Sequence, residues 1–233
     1  MTTGDPSGPD IAPDGGPGER PGSGPAKGAA GPGDGRAGIP GTARWARVVT
    51  EVLAPAHLVM ALPLIVGWRA TAPSLTGVLW GGAAALFCGA IPYAFILAGV
   101  RSGRLTDRHV FRRDQRLTPL VLAVGCVIAG LAALILLGAT KAVVVLVVGM
   151  LSALLVIAPI TAFWKISLHA AVAGGTATAL TLAFGPYAAA LAWPLTVLVA
   201  ASRVSLRAHT PAQVTVGTLV GALVPLAVYW VAG

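Results

Sequence analysis

The sequence predicts an all-α fold: a polytopic transmembrane helix bundle of about 6–7 spans with a disordered N-terminal tail. Composition gives the first reason. Of 233 residues, 56% are hydrophobic and 10% are charged, where a soluble domain carries about 25% charged side chains. Charge placement gives the second: all eight acidic residues lie at or before Asp114. A soluble surface from Gln115 to Gly233 would have no carboxylate to solvate it. The third reason is a recurrence of apolar runs of roughly the 20-residue length that crosses a hydrocarbon core.

Residues 1–42 consist mostly of Gly, Pro, Asp, Ser and Ala. Such a stretch buries too little apolar surface to offset its ordering entropy, so a disordered Gly/Pro-rich tail is expected. It also lacks the apolar core of a signal peptide. The helical domain then occupies 43–233, with spans expected near 47–67, 76–100, 118–139, 142–163, 168–186, 188–202 and 211–232. The sixth of these is the short one. Pro63, Pro92, Pro159, Pro194 and Pro225 fall inside spans, which is tolerated where neighbouring helices satisfy the freed carbonyls. Gly217 and Gly221 have GxxxG spacing, read as close helix packing rather than a dimer contact. Cys88 and Cys126 lie within apolar runs and read as small core residues, not as a disulfide or metal framework. His57, inside the first run, reads as a hydrogen-bonded core residue.

The net charge of +8 does not point to nucleic acid as a partner, because the basic residues sit in loops between apolar runs. Seven spans assign those loops to two faces. One face carries Arg44, Arg47, Arg101, Arg104, Arg108, Arg112, Arg113, Arg116, Lys165, Arg203 and Arg207, and the other only Arg69 and Lys141. The richer face, with the N-terminus, is expected to be cytoplasmic in a multi-pass cell-membrane protein.

Three loops on that face combine cations with imidazoles. They read Asp107-Arg108-His109-Val110-Phe111-Arg112-Arg113-Asp114-Gln115-Arg116, then Trp164-Lys165-Ile166-Ser167-Leu168-His169, then Ser202-Arg203-Val204-Ser205-Leu206-Arg207-Ala208-His209. Guanidinium groups grip phosphate oxygens in pairs, and an imidazole serves as nucleophile or general acid near neutral pH. Together they describe a site for breaking a phosphate ester. Enzymes that hold diphosphate through Mg²⁺ use clusters of Asp. Asp107 and Asp114 are the only acids in these loops, so no metal or other cofactor is expected.

Ser202-Arg203, five residues and then His209 resembles the third signature of the type 2 phosphatidic acid phosphatase and haloperoxidase superfamily. Ser167-Leu168-His169 at the start of a span is similar to its second signature, Pro-Ser-Gly-His. The loop ending at Arg116 stands where the first signature would be. The resemblance runs from about Arg101 to the C-terminus. It implies a metal-independent membrane lipid-phosphate phosphatase acting on a phosphatidate or polyprenyl-phosphate type of lipid in the bilayer. His209 would be the nucleophile that becomes phosphohistidine, and His169 the general acid. Arg203 and Arg116 would hold the phosphoryl oxygens, with His109, Lys165 and Arg207 also in the phosphate-binding set. The family's Asp four residues after the nucleophile is replaced by Gln213, whose carbonyl can accept the imidazole N–H but carries no charge. His109 and Arg116-Leu117 stand where the family has Lys and Arg-Pro, and the second signature lacks its Pro and Gly. Two alternatives follow: a non-catalytic lipid-phosphate binder or transporter, and a prenyl-diphosphate-processing enzyme of terpene synthase type.

Overall fold

The protein is described by a computed structural model over residues 42–104 and 117–232. The tail through residue 41 and the basic loop 105–116, with His109 and Arg116, lie outside the described residues. Among the described residues the regular structure is entirely helical. The helices are α1 (Thr42–Val52), α2 (Pro55–Thr71), α3 (Thr76–Arg101), α4 (Leu117–Leu136), α5 (Lys141–Phe163), α6 (Leu168–Phe184), α7 (Pro186–Ser205) and α8 (Pro211–Ala232).

The chain's prolines and glycines set the breaks. Pro55 opens α2 in the first helical turn, where its missing N–H costs nothing, and α2 is bent by 42° from α1. The single first span expected over 47–67 is therefore two helices. His57 is exposed rather than in the core, and its Nδ1 donates to the Val52 carbonyl (3.1 Å) at the end of α1. Within α3 a π-helical turn at Leu86–Ala90 precedes Pro92. That wider turn accommodates a ring that would otherwise meet the carbonyl of Cys88. Gly185, at φ 77°, both ends α6 and precedes Pro186, the first residue of α7. A left-handed Gly followed by Pro stops one helix and starts the next in one residue.

Among the described residues five helices are long and apolar enough to cross a membrane, α3, α4, α5, α7 and α8, and the bent α1–α2 pair makes a sixth candidate. The short segment is not the sixth expected span but the fifth: α6 has 17 residues and α7 has 20. Two physical causes account for the difference. Gly185-Pro186 cuts α6 early, and α7 runs on to Ser205 because Ser202 and Arg203 find polar partners inside the bundle. Large apolar side chains, among them Leu79, Val121, Leu155, Val197 and Leu223, are exposed on the outside.

Two apolar clusters hold the interior. Ala84, Val127, Leu134, Val143 and Val147 join α3, α4 and α5, with Cys88 packed against them. Ile157, Ile166 and Ala171, flanked by Val216 and Val220, join α5, α6 and α8. The central helix is α6, whose buried face is made of small residues: Ala170, Ala171, Ala173, Gly174, Ala177 and Thr178. It packs on α2, α7 and α8. The α8 backbone approaches so closely that a Cβ at Gly217 would lie 2.7 Å from the Ser167 carbonyl oxygen, and one at Gly221 would overlap the Ala171 carbonyl. Both glycines of the GxxxG pair are thus used within the chain.

Gly221→Ala is expected to destabilise the protein by about 1–3 kcal/mol, since backbone atoms on both helices must separate. Gly125→Ala, in α4 with open space around it, should be neutral or stabilising by up to about 1 kcal/mol. Thermal unfolding of the two variants in detergent gives the comparison directly.

Candidate functional site at the basic end

The second basic loop is fixed by an apolar side chain at its centre. Ile166 is buried in the α5–α6–α8 cluster, which turns Lys165 and Ser167 on either side of it toward other partners. Lys165 Nζ donates to the Ala208 carbonyl at 2.8 Å, so the second loop touches the third. The Ser167 N–H donates to the Gln213 carbonyl at 3.3 Å. Its Oγ accepts from the Ala170 N–H at 3.4 Å, giving α6 an N-cap of the kind that stabilises a helix start. His169 follows as the second residue of α6 and is buried.

The third loop is a tight helix ending. The N–H groups of Ala208 and His209 both donate to the Arg203 carbonyl (3.1 and 3.3 Å). Arg207 takes the left-handed conformation at φ 51°, which costs a non-glycine residue roughly 1–2 kcal/mol. Its side chain is exposed. The next helix starts with a reciprocal cap: the Thr210 N–H donates to Gln213 Oε1 (3.1 Å), and the Gln213 N–H donates to Thr210 Oγ1 (3.3 Å). Thr210-Pro211-Ala212-Gln213 is a capping box, with Pro in the first turn. Gln213 Oε1, the side-chain oxygen that by sequence can accept the His209 imidazole N–H, accepts from the Thr210 N–H in this cap.

Arg203 lies in the last turn of α7 rather than in a loop, and is 4% exposed. A buried guanidinium needs acceptors and counter-charge. Its Nη1 donates to Thr50 Oγ1 on α1 at 3.3 Å. Thr50 Oγ1 is 3.2 Å from Ser202 Oγ, and Ser202 Oγ donates to the Val199 carbonyl at 2.7 Å. One polarity satisfies the whole chain: Arg203 donates to Thr50, Thr50 to Ser202, and Ser202 to Val199. Burial disfavours the charged guanidinium, and the negative charge of Glu51, also on α1, offsets part of that cost.

The structure thus brings together Lys165, Ser167, Ala208, Gln213 and the chain around them that carries His169 and His209. Arg203 sits beside this group but directs Nη1 toward α1. Arg207 projects outward, and the positions of His109 and Arg116 fall outside the described residues. Thr50 went unnoticed in the sequence. Its signal was the spacing of Ala46 and Thr50, four residues apart on one face of a helix whose other positions from Arg44 to Val52 are Arg, Trp, Val and Glu; both are buried. Among the described residues no three His, Cys, Asp or Glu side chains converge.

A groove of about 230 Å³ runs between α7 and α8, lined by Ala200 and Val214 near this end and by Trp193 and Leu219 further along. Ala200 is one helical turn from Arg203, and Val214 adjoins Gln213. Comparison with known proteins finds no relative: no family model, no curated protein and no solved structure matches the chain.

Thr50→Val should cost about 1–3 kcal/mol by leaving a buried guanidinium short of an acceptor, while Thr50→Ser should retain most of the stability. Thr210→Ala, which removes only the cap hydroxyl, should cost about 1 kcal/mol. Melting temperatures of the three variants check both expectations.

Proposed function

We propose that the chain is an integral membrane lipid-phosphate phosphatase that works without a metal. The observation that carries this reading is the Lys165–Ala208 contact, together with the Ser167–Gln213 bond. They join the two loops bearing His169 and His209 at the end of the bundle where Arg203 is buried. The outward Leu and Val side chains fit a hydrocarbon solvent. The α7–α8 groove, which begins within a turn of Arg203, fits a lipid tail whose head lies at the basic end.

In this mechanism His209 attacks phosphorus, and the bond to the alcohol oxygen breaks as His169 delivers a proton to it. Arg203, Lys165 and Arg207 supply positive charge to the phosphoryl oxygens as the negative charge spreads over them. Water then attacks the phosphohistidine, releasing inorganic phosphate and restoring the imidazole. The eleven-to-two division of basic residues supports a cytoplasmic position for this end. Phosphatidate and polyprenyl phosphates are the substrate classes proposed.

A second reading has its own observation. With Oε1 of Gln213 committed to the Thr210 N–H, no carboxylate among the described residues lies on α6, α7 or α8 to stabilise a forming imidazolium. That arrangement suits a protein that binds lipid phosphate without hydrolysing it.

Phosphate release from a panel of lipid phosphates, measured with chelator present, decides between the two. A phosphatase releases phosphate, and His209→Ala lowers the rate by about a thousandfold or more. A binder releases none from any lipid while still retaining the lipid phosphate. Gln213→Asp keeps a helix-capping acceptor and adds a charge, so turnover in a phosphatase should rise by about tenfold. Arg207→Gly relieves the left-handed strain and removes a cation. It should leave the melting temperature unchanged or raised while KM for lipid phosphate increases several-fold, a split read from parallel melting and kinetic measurements.

A further inference from the structure

The other end of the bundle holds a cavity of about 400 Å³, within the size range of small-molecule sites. It lies where α2, α6 and α8 finish and α5 begins. Apolar side chains such as Val145, Leu146 and Leu182 make its walls, and Arg69, Lys141 and Tyr229 add polar groups. Among the described residues no acidic side chain lines it. Arg69 and Lys141 are the only two basic residues assigned to this face by sequence, and they come from segments far apart in the chain. The structure places both on one cavity.

Three features there favour an anion. Arg69 and Lys141 are exposed cations on the cavity's edge. The Arg69 guanidinium lies 6.0 Å from the centre of the Phe184 ring, a stacking that holds it in place. The third feature is the start of α5. Lys141 and Ala142 are its first two residues and both line the cavity. Thr140 makes no side-chain cap, so the first N–H groups and the positive end of a 23-residue helix sit at the same edge. Among the described residues the walls offer no set of polar groups for a sugar and no carboxylate for a cation.

The geometry points to a binding site for an anionic amphiphile: a hydrocarbon chain in the cavity and a phosphate or carboxylate head between Arg69 and Lys141. It is separate from the histidine end, because α6 and α8 start at that end and finish at this one. It does not depend on phosphatase activity, so failure of the phosphatase reading leaves it intact.

The test is photolabelling of the detergent-solubilised full chain with diazirine-bearing dodecyl phosphate and, in parallel, diazirine-bearing dodecanoate, mapped by peptide mass spectrometry. Label is expected on peptides containing Val145, Leu182 or Tyr229, displaced by unlabelled dodecyl phosphate and not by inorganic phosphate. Arg69→Gln combined with Lys141→Gln should reduce that label by about fivefold or more. Ala179→Trp, which fills the cavity and removes no charge, should also reduce it. A melting temperature in each variant close to that of the parent chain would show that the bundle still folds. Labelling by both probes means that any small anionic head suffices, and labelling by the phosphate alone restricts the head to phosphate. Label that ignores all three substitutions, or that spreads evenly over outward-facing residues, would overturn the site. Label lost in Ala179→Trp but unchanged in the double Gln variant would overturn the anionic head.

Discussion

The close approach of α8 to α6 governs the geometry of the basic end. Glycines 217 and 221 let the α8 backbone rest on the carbonyls of Ser167 and Ala171, at a separation that any side chain would prevent. From that contact the rest follows in order. The Ser167 N–H reaches the Gln213 carbonyl, Ile166 drops into the cluster beneath, and Lys165 is aimed across to Ala208. A histidine at position 169 or 209 owes its place to close backbone packing between two helices whose touching faces are largely glycine and alanine. Pro225 extends the same logic further down α8. It denies the Gly221 carbonyl the usual donor four residues on, and that oxygen faces Gly175 on α6, where a Cβ would lie 3.0 Å away.

Electrostatics explains why the amphipathic α1 belongs to the bundle. Its outer face carries Arg44, Trp45, Arg47 and Glu51, all exposed, a pattern suited to a water–lipid boundary. Its inner face supplies Thr50 to Arg203. Without that hydroxyl and the nearby charge of Glu51, the last turn of α7 would hold an uncompensated guanidinium among apolar groups, a costly arrangement. Glu51 is the only carboxylate among the described residues. The α1–α7 contact is therefore polar, unlike the interior clusters.

Much of this architecture was legible from composition and periodicity. Long apolar runs, proline positions and the absence of acidic residues after Asp114 give the helices and most of their limits. What sequence reading missed depended on single contacts. The length of α7 turned on Thr50, which lies more than 150 residues earlier than its partner and has no mark of function in its own segment. The bend after Val52 was signalled by Pro55 but hidden within one continuous apolar run. At the site, the pairing of the second and third loops agrees with their expected common face. The cap formed by Gln213 was also readable, since Thr210-Pro211-Ala212-Gln213 is itself a helix-start pattern in which a local hydrogen bond three residues away forms readily.

The one-residue link at Gly185 bears on how the protein is made. If the bundle spans a bilayer as proposed, α6 is a poor candidate to enter alone, since it is short and carries Thr176, Thr178, Thr181 and His169. Joined to α7 by a single left-handed glycine, it has no slack in which to wait on either side. On that proposal the two helices integrate as one hairpin during synthesis, and the sidedness of everything from Trp164 to Thr210 is decided in a single step.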